Sequence, residues 1–324
     1  MKKVVIFDTS IGSLNMGDEI INRSIKKNWK ELYKDNYTII MPSHTPTFHG
    51  WQNLIMKRNK AYSDVDFKFI CGTNLLYTNM LRPEPNWNIF LHNTKNVRGT
   101  ICIGVGIGKN SKRVNLYTRA LYKKVLNKEF VHSVRDDAAL KLLQDLGFKA
   151  VNTGCPTLWG LTPEFCKTIP TKKSNRAIFT LTCYHADIEK DKKMVEIIKK
   201  NYEEVYFWPQ TMSDLDYIHS LGVAEGVNVV APNVESYDEI LSAGDIDYIG
   251  NRLHGGIFSL QHARRTIIIG IDYRVDEMKK TFSIPSMKRE NMEELDGLIN
   301  SEWQTEINGI DFEAIEKWKA QFKF

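Results

Sequence analysis

Tyr248-Ile249-Gly250-Asn251-Arg252-Leu253-His254-Gly255-Gly256-Ile257-Phe258-Ser259-Leu260 reads as strand, loop and helix in succession. The apolar run from Ile246 to Ile249 ends at Gly250, and helix-like spacing follows the paired glycines. In an open α/β sheet such a loop lies at the carboxyl end of its strand, where ligands bind. The loop holds Arg252, a permanent cation, and His254, a proton donor that titrates near neutrality. Together they point to acid–base chemistry on an anionic substrate. The competing reading is a histidine packed on the next helix and an arginine neutralising its surroundings. Gly255-Gly256 would let a helix start approach an anion closely, which a purely structural histidine does not need.

The same alternation extends to either side. Before it, Val4 to Phe7, Tyr37 to Met41, Val65 to Cys71, Thr100 to Val105, Phe130 to Val134 and Lys149 to Asn152 read as strands. Between them, Ile21, Ile25, Trp29 and Leu32 recur at helical spacing, and Leu116 to Leu126 and Ala138 to Leu146 read as helices. Pro42 to Ala61 has no clear pattern and reads as a long irregular connection. Pro156, Pro163, Pro170 and the polar run Thr171 to Asn175 mark a linker. A second series follows, with strands at Ala177 to Thr182, Glu204 to Trp208, Val227 to Val230, Asp245 to Ile249 and Thr266 to Ile271. Its helices are Asp191 to Lys200, Ser213 to Leu221 and Tyr237 to Ala243.

Continuously apolar strands alternating with helices predict parallel sheets covered on both faces. The fold class is therefore α/β, with two doubly wound, Rossmann-like domains facing across a cleft. Residues 1–160 form the first domain, 175–305 the second, and 306–324 a terminal amphipathic helix built on Phe312, Ile315, Trp318 and Phe322.

The bulk properties bound the function. A chain of 324 residues is long enough for two full cores. Its net charge of +5, from 44 basic and 39 acidic residues, is small and dispersed, so there is no nucleic-acid footprint. No apolar run reaches the roughly 20 residues of a membrane helix. The basic start at Lys2-Lys3 leads to an apolar stretch that stops at Asp8, which reads as a first strand rather than a signal peptide. Cys71, Cys102, Cys155, Cys166 and Cys183 are odd in number and lack CxxC spacing, which predicts free thiols in a reducing cytoplasm and no zinc site.

Further candidates lie at other strand ends. Gly12-Ser13-Leu14-Asn15-Met16-Gly17-Asp18-Glu19 is neither a GxGxxG nor a Walker loop. It reads either as an anion-binding helix start or as a helix capped by Asp18. Gly72-Thr73-Asn74 and Gly104-Val105-Gly106-Ile107-Gly108 permit close backbone approach or simply tight turns. In Ser133-Val134-Arg135-Asp136, Asp136 suits an N-cap, and Arg135 is either a weak surface ion pair or a ligand contact. Trp208-Pro209-Gln210 ends a strand and leads to Asp214. His185 and His219 are isolated, and His262 with Arg264 and Arg265 reads as a cationic helix end that complements the helix dipole. Asp272-Tyr273-Arg274 follows the strand Thr266 to Ile271 and is placed to reach the cleft of His254.

Asn15-Met16-Gly17-Asp18-Glu19, Val134-Arg135-Asp136 and Arg252-Leu253-His254-Gly255, in this order and spacing, resemble the polysaccharide pyruvyl transferases. The resemblance runs, with gaps, from Val4 to about Phe282. It implies a two-domain fold similar to the GT-B glycosyltransferases. It also implies transfer of a pyruvyl group from phosphoenolpyruvate to a saccharide as a ketal, in exopolysaccharide or cell-surface polysaccharide synthesis. By the same resemblance Arg135, Arg252 and His254 are donor-site residues, with Leu253 and Gly255 beside them; ketal formation needs a proton at the methylene carbon, which makes His254 the expected general acid. Asn15, Gly17 and Asp18, with Gly72 and Asn74, face the acceptor. The chain departs from the family's pattern at Cys71-Gly72-Thr73-Asn74 and at Gly154-Cys155-Pro156. The expected partners are phosphoenolpyruvate as co-substrate and a lipid-linked or nucleotide-linked saccharide, with no metal and no further cofactor. The expected location is the cytoplasm, compatible with docking at the inner membrane face. A nucleotide-sugar glycosyltransferase and a non-catalytic saccharide-binding protein are the alternative readings.

Overall fold

A computed structural model describes residues 1–46, 51–55, 59–81, 86–108 and 113–324, apart from the side chains of 53, 54, 273, 274, 276 and 277. The chain divides into two compact units. Unit 1 is Met1–Ser13, Ile21–Trp159 and Asp311–Phe324; unit 2 is Leu14–Ile20 and Gly160–Ile310. The segment Leu14–Ile20 thus belongs with the second half of the sequence, and the helix Phe312–Lys319 with the first.

Unit 1 contains strands β1 (Lys3–Asp8), β2 (Tyr37–Pro42), β3 (Phe67–Cys71), β4 (Asn74–Leu76), β5 (Thr100–Ile103), β6 (Gly106–Ile107), β7 (His132–Val134) and β8 (Ala150–Asn152). Its main sheet has the parallel order β2-β1-β3-β5, and a bridge from Val105 to Val134 continues it toward the parallel pair β7-β8. Val4, Val5, Ile6 and Phe7 are all buried, as a central strand covered on both faces requires. Two short helices, Gln52–Ile55 and Asn59–Ser63, lie in the expected irregular connection, part of which falls outside the described residues. The helix Phe312–Lys319 closes an aromatic cluster in this unit: Trp318 stacks edge-on to Trp29 and donates from Nε1 to Val131 O at 2.7 Å, while Phe322 packs on Phe69 and Phe130.

His132 is buried at the start of β7. Its Nδ1 accepts from Cys102 N at 3.1 Å, so Nε2 carries the proton and donates to Asn127 O at 2.8 Å. Burial pushes the ring's pKa down to about 4, below its ordinary value of 6.5. As pH falls from 6.5 toward 4, the unfolded chain takes up a proton that the native ring refuses. Stability therefore falls with acidity through this window, by up to about 3 kcal/mol. His132→Gln should flatten that part of the profile in urea titrations run across pH. Equal slopes for the two proteins would assign the acid sensitivity elsewhere.

Unit 2 contains β9 (Arg176–Thr180), β10 (Glu204–Phe207), β11 (Asn228–Val229), β12 (Asp247–Gly250), β13 (Thr266–Gly270) and β14 (Ser286–Lys288). All neighbours are parallel, in the order β11-β10-β9-β12-β13-β14. Renumbered within the unit this is 3-2-1-4-5-6, the order of a dinucleotide-binding Rossmann sheet. Phe179, Phe207, Ile249, Ile267 and Ile269 from the strands pack with Met194, Ile198 and Leu295 from helices. The helices Tyr273–Phe282 and Leu295–Asn300 and the strand β14 are additions to the elements read from sequence.

Arg264 and Arg265 correct the helix-dipole expectation. Arg264 Nε donates to Leu241 O, and Arg265 is buried, pairing with Asp247 at 3.2 Å and donating to Leu298 O and Ser301 O. His262 does end its helix, held between Phe258 O and Asp238 Oδ1 at 2.8 Å each. Four of the five cysteines are buried and all five are free thiols. No described helix is long and apolar enough to cross a membrane.

Candidate functional site

In a 3-2-1-4-5-6 sheet the strand order reverses between the first and fourth strands, here β9 and β12, and their carboxyl ends open a crevice. β9 ends at Thr180 and β12 at Gly250. A Cβ on Gly250 would sit 2.7 Å from Thr180 N, so the close approach of the two strands requires glycine. Arg252 then caps the helix Leu253–Gln261.

A closed set of hydrogen bonds fixes this turn. Arg252 N donates to Thr180 Oγ1 at 3.2 Å, and Tyr248 Oη donates to Arg252 O at 2.8 Å. Tyr248 has spent its only proton, so in the 2.6 Å contact with Thr180 the threonine hydroxyl is the donor. The circuit runs from Arg252 N through Thr180 and Tyr248 back to Arg252 O. Each bond polarises the next.

The guanidinium is held as firmly as the backbone. Arg252 Nε donates to Asp214 Oδ2 at 3.0 Å, Nη2 donates to Asp214 Oδ1, and Nη2 also reaches Thr211 Oγ1 at 3.1 Å. Asp214 is fully buried, whereas the Arg252 side chain is 15% exposed. Nη1 donates to no acceptor among the described residues and forms the open edge of the fork. The side chain of Arg252, at the N-cap, makes no bond to the first turn of the Leu253–Gln261 helix. First-turn amides and the open guanidinium edge both favour an anion.

His254 lies in that first turn, partly buried. It is brought together with the N-terminal motif: the place of a Cβ on Gly17 lies 3.2 Å from His254 Nδ1, 3.0 Å from Gln210 Nε2 and 3.1 Å from Asn15 Oδ1. Met16 N also donates to Gln210 O at 3.1 Å. Asn15, rather than the expected Asp18, caps the helix Met16–Asn28, accepting from Gly17 N at 2.9 Å. That bond fixes Asn15 Oδ1 as an acceptor, so the amide of Gln210 must donate to it at 2.7 Å. Gln210 Oε1 is then buried with no partner among the described residues. Asp18 is buried in the first turn of the same helix.

The paired glycines have separate reasons. A Cβ on Gly255 would meet Tyr248 Oη at 3.3 Å and Gln210 Oε1 at 3.5 Å, on the side of the site. A Cβ on Gly256 would lie 2.6 Å from Ile268 Cγ1, so Gly256 serves helix-on-sheet packing rather than the expected approach of an anion.

Arg135, Asn74 and Gly72 lie in unit 1. Arg135 Nη2 donates to Asn74 Oδ1 at 2.5 Å, joining two residues expected on opposite sides of the reaction. Asp136 caps the following helix, as expected, accepting from Ala139 N at 2.7 Å, and its other oxygen accepts from Ile107 N. Burial raises the Asp136 carboxyl above its usual range despite Arg135 beside it. A Cβ on Gly106 would sit 2.6 Å from Asn74 Oδ1, which accounts for one glycine of that loop. Gly72 has φ +55° and packs against Ile21, so backbone and packing both demand glycine there. The side chains of Tyr273 and Arg274 lie outside the described residues.

The polysaccharide pyruvyl transferase family model matches residues 15–273. The chain belongs to this family. Every site residue named above except Arg274 falls inside the matched span. Among solved structures the chain is similar to Methanocaldococcus jannaschii UDP-GlcNAc 2-epimerase in complex with UDP-GlcNAc and UDP, with TM-score 0.48 and 11% identity, covering 99% of this chain and 100% of that one. It is also similar to S. aureus MnaA bound to UDP, with TM-score 0.49 and 8% identity, covering 99% and 97%. No curated relative matches. Family membership rests on the sequence match alone. In this polysaccharide pyruvyl transferase family member, Thr180, Thr211 and Tyr248 are the site residues that sequence reasoning did not find. The only signal for Asp214 was its place after the Trp208-Pro209-Gln210 turn.

Proposed function

We propose that the chain transfers a pyruvyl group from phosphoenolpyruvate to two hydroxyls of a saccharide, forming a ketal during exopolysaccharide or cell-surface polysaccharide synthesis. The observation that carries this reading is the turn at Arg252-Leu253-His254. It offers an open guanidinium edge, a helix start that the Arg252 side chain does not cap, and a histidine side by side at the switch point of unit 2. Phosphoenolpyruvate carries a carboxylate and a phosphate, which suit those donors.

In this reading His254 delivers a proton to the methylene carbon, and a sugar hydroxyl adds to the adjacent carbon. The carbon–oxygen bond to phosphate then breaks, and a second hydroxyl closes the ketal. One hydroxyl proton restores His254 and the other leaves with phosphate. The acceptor is a lipid-linked or nucleotide-linked saccharide.

Thermal-shift titration with phosphoenolpyruvate and with a panel of nucleotide sugars tests the donor. Phosphoenolpyruvate at about 100 times its Kd should add about 2.7 kcal/mol of stability. Acceptor-dependent phosphate release should follow when saccharide is supplied. Stabilisation by a nucleotide sugar alone would favour a glycosyltransferase instead.

A further inference from the structure

We infer that Asp214 is a positioning residue that both aligns Arg252 and tempers its pull on the departing phosphate. The inference rests on the reading of this turn as the donor site. Asp214 stands in the first turn of the helix Met212–Leu221, where an acid ordinarily needs no partner beyond the helix start. Here it accepts four hydrogen bonds: from Thr211 N at 3.0 Å, from Cys183 N at 3.4 Å, and from Arg252 Nε and Nη2. With Thr211 Oγ1 taking the second Nη2 hydrogen, three of the five guanidinium hydrogens are committed. The fork cannot turn without breaking them, so the two Nη1 hydrogens keep one direction.

The same carboxylate places a full negative charge directly behind the cation. A lone guanidinium would attract phosphate from any angle, and so would hold the product as well as the donor. The neutralised pair binds chiefly through directed hydrogen bonds, which reward a correctly placed anion. Charge acts on ground-state affinity over several ångströms, whereas alignment acts on the reacting geometry. The two can therefore be separated by experiment.

Asp214→Asn removes the charge with little change in volume. Calorimetric titration with inorganic phosphate should show Kd lowered about 10-fold, while kcat falls about 10-fold or more. A buried acid that merely supported the loop would give weaker phosphate binding or none. Phosphate affinity equal to or below that of the unaltered protein overturns the inference. Thr211→Val leaves the charge in place and removes the Nη2 acceptor together with the N-cap of the helix Met212–Leu221, so its thermal stability is measured alongside. It should leave phosphate Kd within about 2-fold and lower kcat about 5-fold. An unchanged kcat in Thr211→Val refutes the aligning role, and this variant carries the test if Asp214→Asn does not fold. Absence of phosphoenolpyruvate turnover in the unaltered protein would count against the donor assignment, and the phosphate titrations would still decide the role of Asp214.

Discussion

His254→Gln is expected to lower turnover by about 10²- to 10⁴-fold, the range over which positioned proton transfer acts. Glutamine keeps much of the side chain's size and can still donate a hydrogen bond, but it cannot deliver a proton to carbon. Donor affinity should change little, because the charged contact in the same turn belongs to Arg252. Steady-state phosphate release, with phosphoenolpyruvate binding measured separately, divides the two effects. Near-normal turnover in this variant removes His254 from proton transfer. A large loss of donor affinity at normal kcat would make it a binding residue instead.

Asp247→Ala should destabilise unit 2 by about 3–5 kcal/mol. Asp247 sits at the start of β12, where it accepts from Tyr202 Oη at 2.8 Å and pairs with Arg265 at 3.2 Å. Arg265 is only 1% exposed and stacks its guanidinium on Trp303 at 4.7 Å. Removing the carboxylate leaves a buried cation with carbonyls and a ring but no counter-charge. Burial raises the Asp247 carboxyl above its usual range although Tyr202 and Arg265 both favour its charged form. Desolvation therefore outweighs the attraction, and replacing both partners by apolar residues should cost far less than Asp247→Ala alone. Urea denaturation of the single and double variants checks this. A loss below about 1 kcal/mol for the single variant would show that Arg265 finds another partner or reaches water.

The legible parts of the fold were those with a period. The buried strands β1, β9, β12 and β13 hold unbroken apolar runs, β3 is apolar but for Lys68, and their connecting helices repeat at 3.6. β4, β6 and β14 have two or three residues each and lie beside turns, too few for alternation to register. The strand–turn–helix at Arg252 was readable because glycine, cation and histidine all fall within one turn. Its support was not. Asp214 is 38 residues away in sequence and Thr180 is 72 away. Thr180 ends β9 and Asp214 follows β10, and both reach the turn only because β10, β9 and β12 are consecutive in a sheet whose order cannot be read from periodicity. Arg265 misled for a related reason: its position after a helix looks solvated, and only the strand that follows at once carries it inside. The partnership of Asn15 and Gly17 with Gln210 and His254 was hidden by sequence distance, since the helix Met16–Asn28 begins in one unit and ends in the other.

That helix, and the one at Phe312–Lys319, give the chain an order of completion that differs from its order of synthesis. A ribosome makes the central strand β1 early, but the C-terminal segment whose Trp318 and Phe322 cover Trp29 and Phe69 emerges only after all of unit 2. Unit 2 likewise holds Leu14–Ile20 against residues made nearly 200 positions later. At roughly 5–20 residues per second, the aromatic cluster of unit 1 stays uncovered for many seconds on each nascent chain. Neither unit can be excised as a continuous stretch of sequence, and a stop before Asp311 leaves the first without its cover.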